Sequence, residues 1–200
     1  MKKVVVFGGT GFVGSSICKE LGKAGFEVVS ISKSGENKYL FEKDCEHIRF
    51  VKADLFNQAA WQEELTDCYA VVNSIGILFQ QKQAHITYKR LIFEATKQIA
   101  QAAQAKGVKN FVHISAIKPP FFMLREYHQY KQEAEQYLQT KDFHLCIIRP
   151  RIIASPQKPF FLFLYHLQEL THFPFKQFDQ IESVGKQVLD FVKEIPPKKE

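Results

Sequence analysis

The stretch Val4-Val5-Val6-Phe7-Gly8-Gly9-Thr10-Gly11-Phe12-Val13-Gly14 joins a short apolar run to three regularly spaced glycines. The β-branched run predicts a buried strand, and the residues after the glycines suit a helix. Bare glycines let a backbone approach a phosphate, and a helix N-terminus offers unpaired N–H groups and a positive dipole end. A strand, a tight turn and a helix in this order are typical of dinucleotide-binding folds, although the glycine spacing alone also occurs in plain turns. We therefore expect a nucleotide site here.

The composition suits one domain with a sizeable core. The chain has 200 residues, of which 46% are hydrophobic and 24% charged, and its formal net charge is +6. This charge is compatible with an anionic ligand, a membrane surface or solubility alone, and no basic–aromatic interleaving points to nucleic acid. No apolar run approaches the ~20 residues of a membrane span, and the N-terminus lacks the pattern of a signal peptide. We expect a cytoplasmic protein.

Cysteine and histidine give no sign of a metal site. The four cysteines are widely spaced and form no Cys-x-x-Cys pair, so reduced, buried thiols are expected. His113 lies inside a predicted strand, where a packed or hydrogen-bonded core residue is expected rather than a base. We therefore expect no bound metal.

Strand-like and helix-like segments alternate along the chain. The predicted strands cover residues 3–7, 26–31, 48–53, 69–75, 108–115 and 143–148, and the predicted helices cover 12–24, 57–66, 84–106, 127–140 and 181–192. Such alternation predicts an α/β fold with a doubly wound parallel sheet of the Rossmann type. We expect a single domain over residues 1–200, with a dinucleotide-binding core at about 1–155 and a reduced substrate or lid region at about 156–200.

The end of the second predicted strand bears on the choice of cofactor. An NAD site normally offers an acidic side chain there, which bonds the ribose 2′-hydroxyl. This chain instead has Ser30, Ser32, Lys33 and Ser34. A lysine among hydroxyl groups suits a 2′-phosphate, so Ser32 and Lys33 favour NADP(H), with NAD(H) as the other option. The alternative is that Lys33 is an ordinary solvated loop lysine.

Tyr127 and Lys131 form a Tyr-x-x-x-Lys pair that would lie on one face of a helix. A tyrosine must lose its proton to act as a base, and a nearby ammonium would lower its pKa from about 10. Tyr39 and Tyr137 share the spacing, so the pattern alone is weak. Only Tyr127 follows a strand that ends in a hydroxyl residue, Ser115. The other interpretation of the pair is an ordinary amphipathic helix surface.

Together these motifs resemble the short-chain dehydrogenase/reductase superfamily, in particular its extended and atypical branches. Those branches include NAD(P)-dependent epimerases and reductases, and the NADPH-binding accessory subunit of respiratory complex I with its bacterial relatives. The motifs that carry the resemblance follow the family's order over about the first 155 residues: 8–14, Ala53-Asp54-Leu55, 72–78, 111–115, 127–131 and Ile148-Arg149-Pro150.

The resemblance implies that three groups of residues hold the cofactor. The pyrophosphate would rest on the glycine stretch, at Gly8, Thr10, Gly11, Phe12, Val13 and Gly14. The adenosine half would be held after strands three and four, at Asp54, Leu55, Ser74, Ile75 and Gly76, to which the residue types after strand two add Ser32 and Lys33. The nicotinamide half would lie beside Tyr127, Lys131, Pro150, Arg151 and Ile152.

The resemblance also implies a reaction, hydride transfer at C4 of the nicotinamide coupled to proton transfer through Tyr127. Ser115 would orient a substrate oxygen, and Lys131 would hold the nicotinamide ribose and tune Tyr127. The chain would then be an NAD(P)-dependent oxidoreductase or epimerase acting on a small molecule. The alternative is a non-catalytic NADPH-binding sensor, assembly or accessory protein.

The chain departs from the extended members of the family after its sixth predicted strand. Few residues follow it, and Ala154-Ser155-Pro156 stands where Tyr-Gly-Pro is common, so the substrate pocket must be small, open or completed by something else. An apolar stretch at 160–170, expected to be helical, is followed by a loop at 171–180. The Phe-rich segment 160–175 and the loop 119–123 suggest a hydrophobic substrate, such as a quinone- or lipid-like one.

The same apolar residues could instead serve either of two different purposes. They could simply pack the last helices against the sheet, or they could form a weak membrane-surface or protein-partner patch. A homodimer through the helices predicted at 84–106 and 127–140 is also compatible with the resemblance.

Overall fold

A computed structural model describes residues 1–77, 79–117, 124–154 and 178–195. Six parallel strands form one sheet: β1 (Lys3–Phe7), β2 (Glu27–Ser32), β3 (Ile48–Lys52), β4 (Cys68–Asn73), β5 (Asn110–Ile114) and β6 (His144–Ile148). Their spatial order is β3-β2-β1-β4-β5-β6, so β2 and β3 lie on one side of β1 and β4 to β6 lie on the other. The switch point of the sheet is therefore between β1 and β4. The predicted fold class, a doubly wound parallel sheet of the Rossmann type, is confirmed. Ligands of such sheets bind at this switch point.

The first strand is apolar on both faces because both faces are covered. Val4 and Val6 join one buried layer, whereas Val5 and Phe7 join the other. The Phe7 ring meets the buried Trp61 ring edge-on, with centroids 4.9 Å apart. Each fully buried side chain of this kind contributes about 1.5–3 kcal/mol. The packing therefore fixes where β1 ends, and with it the position of the glycine turn.

Within the described residues, four α-helices pack on the sheet: α1 (Phe12–Lys23), α2 (Ala95–Ala105), α3 (Arg125–Gln139) and α4 (Ile181–Glu194). The last helix packs directly against α1. A Cβ on Gly185 would lie 3.0 Å from the Ser16 carbonyl oxygen, and the Ser16 hydroxyl donates to the Ile181 carbonyl at 3.2 Å. The C-terminal helix thus backs the helix that follows the glycines. Its predicted span, 181–192, is confirmed and extends to Glu194.

The predicted helix at 57–66 is wrong. The chain forms two short 3₁₀ segments there, Gln58–Ala60 and Gln62–Leu65. Between them Trp61 has φ −143°, and its indole N–H donates to the Leu55 carbonyl at 2.8 Å. Because the large indole turns into the core, the backbone cannot continue as one helix.

The single long helix predicted at 84–106 is also wrong in its first part. Lys82–Ala84 forms a 3₁₀ turn, and His85 has a left-handed φ of 55°. Lys89–Glu94 then winds as a π-turn that leads into α2. The Tyr88 backbone N–H donates to the Gln80 side chain at 3.0 Å, so this N–H does not enter a helix that starts at residue 84.

Two short strands beyond β6 were not predicted. Ile152–Ala154 (β7) and Phe178–Gln180 (β8) pair in parallel as a separate sheet, so the end of the loop predicted at 171–180 is a strand. A local pattern does not reveal this pairing because its partners are far apart in sequence. The segments 160–170 and 160–175 and the loop 119–123 lie outside the described residues. None of the described helices has the length and apolarity needed to span a bilayer.

Candidate functional site

The turn after β1 is built from glycines that have no room for a side chain. Gly8 has φ 79°, in the left-handed region that favours glycine. The Gly11 N–H donates to the Gly8 carbonyl at 2.9 Å and closes the turn. A Cβ on Gly14 would lie only 2.2 Å from the Gly8 carbonyl oxygen. Glycine at positions 8 and 14 is therefore a steric requirement of this turn.

The first helix begins directly after this turn without a side-chain cap. Gly11 is its N-cap residue, and its first turn contains no acidic side chain. The Ser15 hydroxyl donates to the Phe12 carbonyl at 3.0 Å rather than to an amide at the helix start. A helix N-terminus of this kind favours an anion through its amide hydrogens and dipole. The backbone from Gly11 to Gly14 therefore fits the pyrophosphate of a dinucleotide.

The end of β4 lies against the glycine turn. The Ser74 hydroxyl donates to the Phe7 carbonyl at 2.8 Å, and a Cβ on Gly8 would touch Ile75 at 3.2 Å. A Cβ on Gly76 would lie 3.7 Å from the Lys131 amine. The predicted residues Ser74, Ile75 and Gly76 therefore connect the glycine turn to Lys131, and the Ser74 hydroxyl also ties β4 to β1.

The residues predicted to hold the adenosine half follow β2 and β3. The Ser32 hydroxyl accepts the Gly35 N–H at 3.0 Å, and the Lys33 side chain is exposed. The hydroxyl oxygens of Thr10 and Ser34 are 3.4 Å apart, so this loop adjoins the glycine turn.

The short segment after β3 is held by hydrogen bonds at both of its predicted cofactor-binding residues. The exposed Asp54 carboxylate accepts the Phe56 N–H at 3.0 Å. The Leu55 carbonyl accepts from the Gln98 side chain at 3.0 Å as well as from Trp61. The half-buried Leu55 side chain packs against the core layer that contains Val5 and Phe7.

Ser115 and Lys131 meet at the end of β5. Both side chains are buried, each 3% exposed. The Lys131 amine donates to the Ile114 carbonyl at 2.7 Å, whereas the Ser115 hydroxyl has no hydrogen-bond partner among the described residues. Burial lowers the pKa of Lys131 to about 8, with nearby Glu135 opposing the shift. A buried hydroxyl without a partner among the described residues leaves a donor and an acceptor available for a bound ligand.

Tyr127 lies one helical turn before Lys131 and packs edge-on against Tyr88, with ring centroids 5.5 Å apart. Burial raises the pKa of Tyr127 to about 12, and the Tyr88 phenol adds to the shift. The Lys131 amine is 6.0 Å from the Tyr127 ring centroid. The expectation that Lys131 lowers the pKa of Tyr127 is therefore wrong for this structure, because the loss of solvent outweighs the distant charge.

The two competing Tyr-x-x-x-Lys pairs lie elsewhere. Tyr137 packs near Phe93, and the Lys141 amine is 4.5 Å from the Tyr137 ring centroid. Tyr39 packs against Phe12 at 5.8 Å. Only Tyr127 shares its helix face with a lysine that reaches the end of β5. The context of the motif, rather than its spacing, identified the pair.

A buried polar network behind Ser115 was missed by sequence reasoning. The Asn73 amide donates to the Thr96 hydroxyl at 2.9 Å, accepts the Ile75 N–H at 3.1 Å and lies 3.5 Å from the His113 ring nitrogen Nδ1. His113 is fully buried, as predicted, and burial lowers its pKa well below the usual range, so it is neutral at pH 7. Three separated polar residues carry no joint signal in a sequence.

The segment after β6 adjoins the end of β5. The carbonyl of the buried Pro150 accepts the Ile117 N–H at 3.1 Å, Arg151 is exposed and Ile152 begins β7. No cluster of three or more potential metal ligands occurs in the parts of the chain that the structure describes. The glycine turn, the uncapped helix and the Ser115 hydroxyl, which has no partner in the described part of the chain, all fit a bound dinucleotide that extends from α1 toward β5.

Comparison with known proteins agrees with this geometry. Residues 8–162 match the model of a family described as NAD(P)H-binding. The chain is similar to an uncharacterised chloroplastic protein of Arabidopsis thaliana, with 35% identity over 161 residues that cover 78% of this chain and 52% of that protein. It is also similar to mouse NADH dehydrogenase [ubiquinone] 1 alpha subcomplex subunit 9, mitochondrial, with 22% identity over 158 residues that cover 78% of this chain and 41% of the subunit.

The chain thus spans about half the length, or less, of these relatives. Among solved structures, it is similar to the UDP-glucuronic acid 4-epimerase of Bacillus cereus in complex with NAD, with a TM-score of 0.71 and 20% identity. That match covers 96% of this chain and 72% of the epimerase. At this identity the likeness concerns the fold.

Proposed function

The chain belongs to the NAD(P)H-binding family, in its extended short-chain dehydrogenase/reductase and epimerase group, and from that premise we propose that it is an NADP(H)-dependent oxidoreductase or epimerase. Its substrate is a small or hydrophobic molecule with a carbonyl or hydroxyl group. The observation that carries this proposal is the buried Ser115 hydroxyl, unpaired among the described residues, beside buried Lys131. A purely structural serine in this position would be expected to bond a neighbour.

We assign cofactor binding to the residues named from the family resemblance. The glycine turn and the start of α1 hold the pyrophosphate, and Asp54 and Leu55 take the adenine. The loop that carries Ser32 and exposed Lys33 adjoins the glycine turn, because the hydroxyl of the next residue, Ser34, contacts that of Thr10. A lysine among hydroxyl groups at this place suits a 2′-phosphate and favours NADP(H) over NAD(H). Pro150 and Ile152 would flank the nicotinamide.

A nicotinamide held beside Tyr127 and Lys131 would supply the hydride chemistry at the substrate carbon. Ser115 donates a hydrogen bond to the substrate oxygen and orients it. Tyr127 transfers a proton to or from that oxygen. The Tyr127 phenol, with its pKa raised by burial to about 12, is protonated at neutral pH, as a proton donor in carbonyl reduction must be. Lys131 holds the ribose side of the site and supplies positive charge there.

Two exposed apolar side chains follow strands whose carboxyl ends adjoin the proposed site. Phe79, shortly after β4, is 78% exposed, and Ile117, shortly after β5, is 46% exposed. Exposed large apolar side chains in these segments favour an apolar ligand. We therefore keep a quinone- or lipid-like carbonyl compound as the proposed substrate.

Replacing Tyr127 with Phe tests the reaction. Tyr127→Phe should reduce NADPH-dependent turnover of aldehydes, ketones and quinones by at least ~100-fold, since general acid–base groups contribute about 10²–10⁴-fold. The dissociation constant for NADPH should stay within about twofold of the wild type, because the phenol makes no phosphate contact. Tyr130→Phe, on the same helix, is the matched control and should keep both properties. Unchanged turnover in Tyr127→Phe would contradict the assignment.

A second candidate is a non-catalytic NADPH-binding sensor, assembly or accessory protein. One observation favours it: the similarity to the mouse NADH dehydrogenase subunit. NADPH binding without turnover of any carbonyl substrate, in wild type and Tyr127→Phe alike, would select this candidate.

Location and assembly belong to the same proposal. We propose a cytoplasmic protein, although the Arabidopsis relative is described as chloroplastic. We also propose self-association through the exposed faces of α2 and α3. Cell fractionation and sedimentation of the purified chain test these two expectations.

A further inference from the structure

The Tyr88 ring packs against the Tyr127 ring. Tyr88 is buried, and its ring meets the Tyr127 ring at 73° with centroids 5.5 Å apart. Edge-on aromatic pairs at this spacing attract each other and favour one relative orientation. The reaction proposed above makes no use of Tyr88, and no motif in the sequence singles it out.

Gln80 connects the backbone of Tyr88 to the helix turn that carries Tyr127. Its carbonyl oxygen accepts the Tyr88 N–H at 3.0 Å, and its amide nitrogen donates to the Glu126 carboxylate at 3.0 Å. Both bonds are satisfied in one orientation of the amide only, because an amide oxygen cannot donate and an amide nitrogen cannot accept. Gln80 therefore links the residue that contacts Tyr127 to the residue preceding Tyr127.

The backbone after Tyr88 supports a specific role for this contact. Lys89–Glu94 is a π-turn, a widened form of helix that is rare and occurs frequently at functional sites. The Thr87 hydroxyl accepts the Arg90 N–H at 3.2 Å and fixes the start of this turn. The widened turn follows the residue that touches Tyr127 and precedes regular helix α2.

We propose that Tyr88 and Gln80 are positioning residues that hold the Tyr127 phenol in its orientation for proton transfer. The inference deepens the proposed function and rests on Tyr127 being the group that moves the proton. Among the described residues, the titratable or charged groups next to Tyr127 include the packed Tyr88, the chain neighbours Glu126 and His128, and Lys131 one turn further along. Without the edge-on contact, Tyr127 gains rotational freedom and contact with solvent.

The first test compares Tyr88→Leu with Tyr88→Phe by NMR of the full chain labelled with ring-¹³C tyrosine, without cofactor. The Tyr127 signal is assigned from its absence in Tyr127→Phe. Tyr88→Leu should shift this signal and speed the flipping of the Tyr127 ring, whereas Tyr88→Phe, which keeps the edge-on ring, should preserve both. An unchanged Tyr127 signal in Tyr88→Leu, or equal changes in the two variants, would overturn the proposal.

The second test breaks the Gln80 link. Gln80→Glu places a carboxylate against Glu126 and should move the Tyr127 signal; Gln83→Glu, an exposed residue of the same loop, should not. Once a substrate is known, Gln80→Glu should lower kcat by about tenfold, a change of ~1.4 kcal/mol in the barrier, with KM and NADPH affinity unchanged. Equal behaviour of the two glutamate variants would overturn the proposal. If Tyr88→Leu fails to fold, the Tyr127 signal in Gln80→Glu decides the case. Retained activity in Tyr127→Phe would overturn the proposed reaction, and the spectra would then show separately whether Tyr88 and Gln80 hold the Tyr127 ring.

Discussion

The two ends of the candidate site are built from different parts of the chain. At the glycine end, the proposed ligand-binding surface is backbone, and the turn closes through the Gly11 N–H and the Gly8 carbonyl. At the tyrosine end, the surface is made of side chains that arrive from β5, α3 and the segment before α2. The first end depends on the absence of side chains, whereas the second depends on which neighbours surround each of them. Substitutions should therefore act by different routes at the two ends.

The largest effect is expected at Gly14. A Cβ there would lie 2.2 Å from the Gly8 carbonyl oxygen, a backbone atom that cannot move aside without opening the turn. Gly14→Ala should lower the free energy of unfolding by about 3 kcal/mol and weaken NADPH binding by at least ~tenfold. Urea unfolding and fluorescence titration with NADPH measure both quantities.

Gly22→Ala is the matched control on the same helix. Its Cβ would meet the Ile48 side chain at 3.3 Å and the His47 Cβ at 3.9 Å, and alanine is the better helix former by about 1 kcal/mol. We expect a change in stability within ~1 kcal/mol and unchanged NADPH binding. Similar losses in the two variants would show that helix packing, not the turn, sets the glycine requirement.

The second effect concerns the buried charge of Lys131. Its pKa is lowered to about 8 from 10.5, so between these values the unfolded chain binds a proton that the folded chain does not. The free energy of unfolding therefore rises with pH through this window. The free energy of unfolding of the wild type minus that of Lys131→Met should therefore increase by ~2 kcal/mol from about pH 8 to 9.5. Urea unfolding at both pH values measures it.

Lys97→Met provides the comparison for Lys131→Met, because Lys97 is an exposed lysine of α2. Its difference from the wild type should be the same at both pH values. If the difference for Lys131→Met is also the same at both pH values, Lys131 keeps its ordinary pKa in the folded state. Its amine would then be more accessible to solvent than the structure indicates.

A smaller effect is expected at the 2′-phosphate position. Lys33→Ala should weaken NADPH binding by about fivefold, or ~1 kcal/mol, because an exposed lysine bonds a phosphate through screened charge. NADH binding should not change. Lys38→Ala, an exposed lysine of the same loop, serves as the control. Equal losses for NADPH and NADH in Lys33→Ala would contradict the NADP(H) preference.

The smallest effect is expected at Thr10. Its hydroxyl is 3.4 Å from the Ser34 hydroxyl, a long contact, and its proposed role uses only backbone groups. Thr10→Val should change NADPH affinity by less than about twofold. A loss as large as that of Gly14→Ala would show that a side chain, and not the backbone alone, recognises the pyrophosphate.

The same contrast, between local backbone pattern and side-chain surroundings, explains which parts of the fold could be predicted from the sequence. The glycine turn, the alternation of strands and helices and the parallel sheet follow from local spacing and apolar pattern, and the structure confirms them. The interruption of the predicted helix at Trp61 depends on a core contact with Phe7, and the π-turn follows a contact between Tyr88 and Gln80. Such contacts join distant residues and leave no local pattern.

The candidate site shows the same division. Ser115, Tyr127 and Lys131 were found through a familiar order of motifs, but the pKa of Tyr127 was predicted in the wrong direction. A charge four residues away is visible in a sequence, whereas the loss of solvent around a ring depends on neighbours such as Tyr88. The Asn73, Thr96 and His113 network was missed for the same reason.

The contact of Gly185 with α1 has a consequence for how such chains can be shortened. The nucleotide motif lies within the first 14 residues, yet the helix it feeds is supported by residues 181–194 from the other end of the chain. A truncated version ending before residue 181 would retain every motif that identifies the family and would still bare the buried layer beneath α1. A fragment chosen from motif boundaries alone would therefore contain the complete nucleotide-binding motif but lack the C-terminal helix that packs against α1.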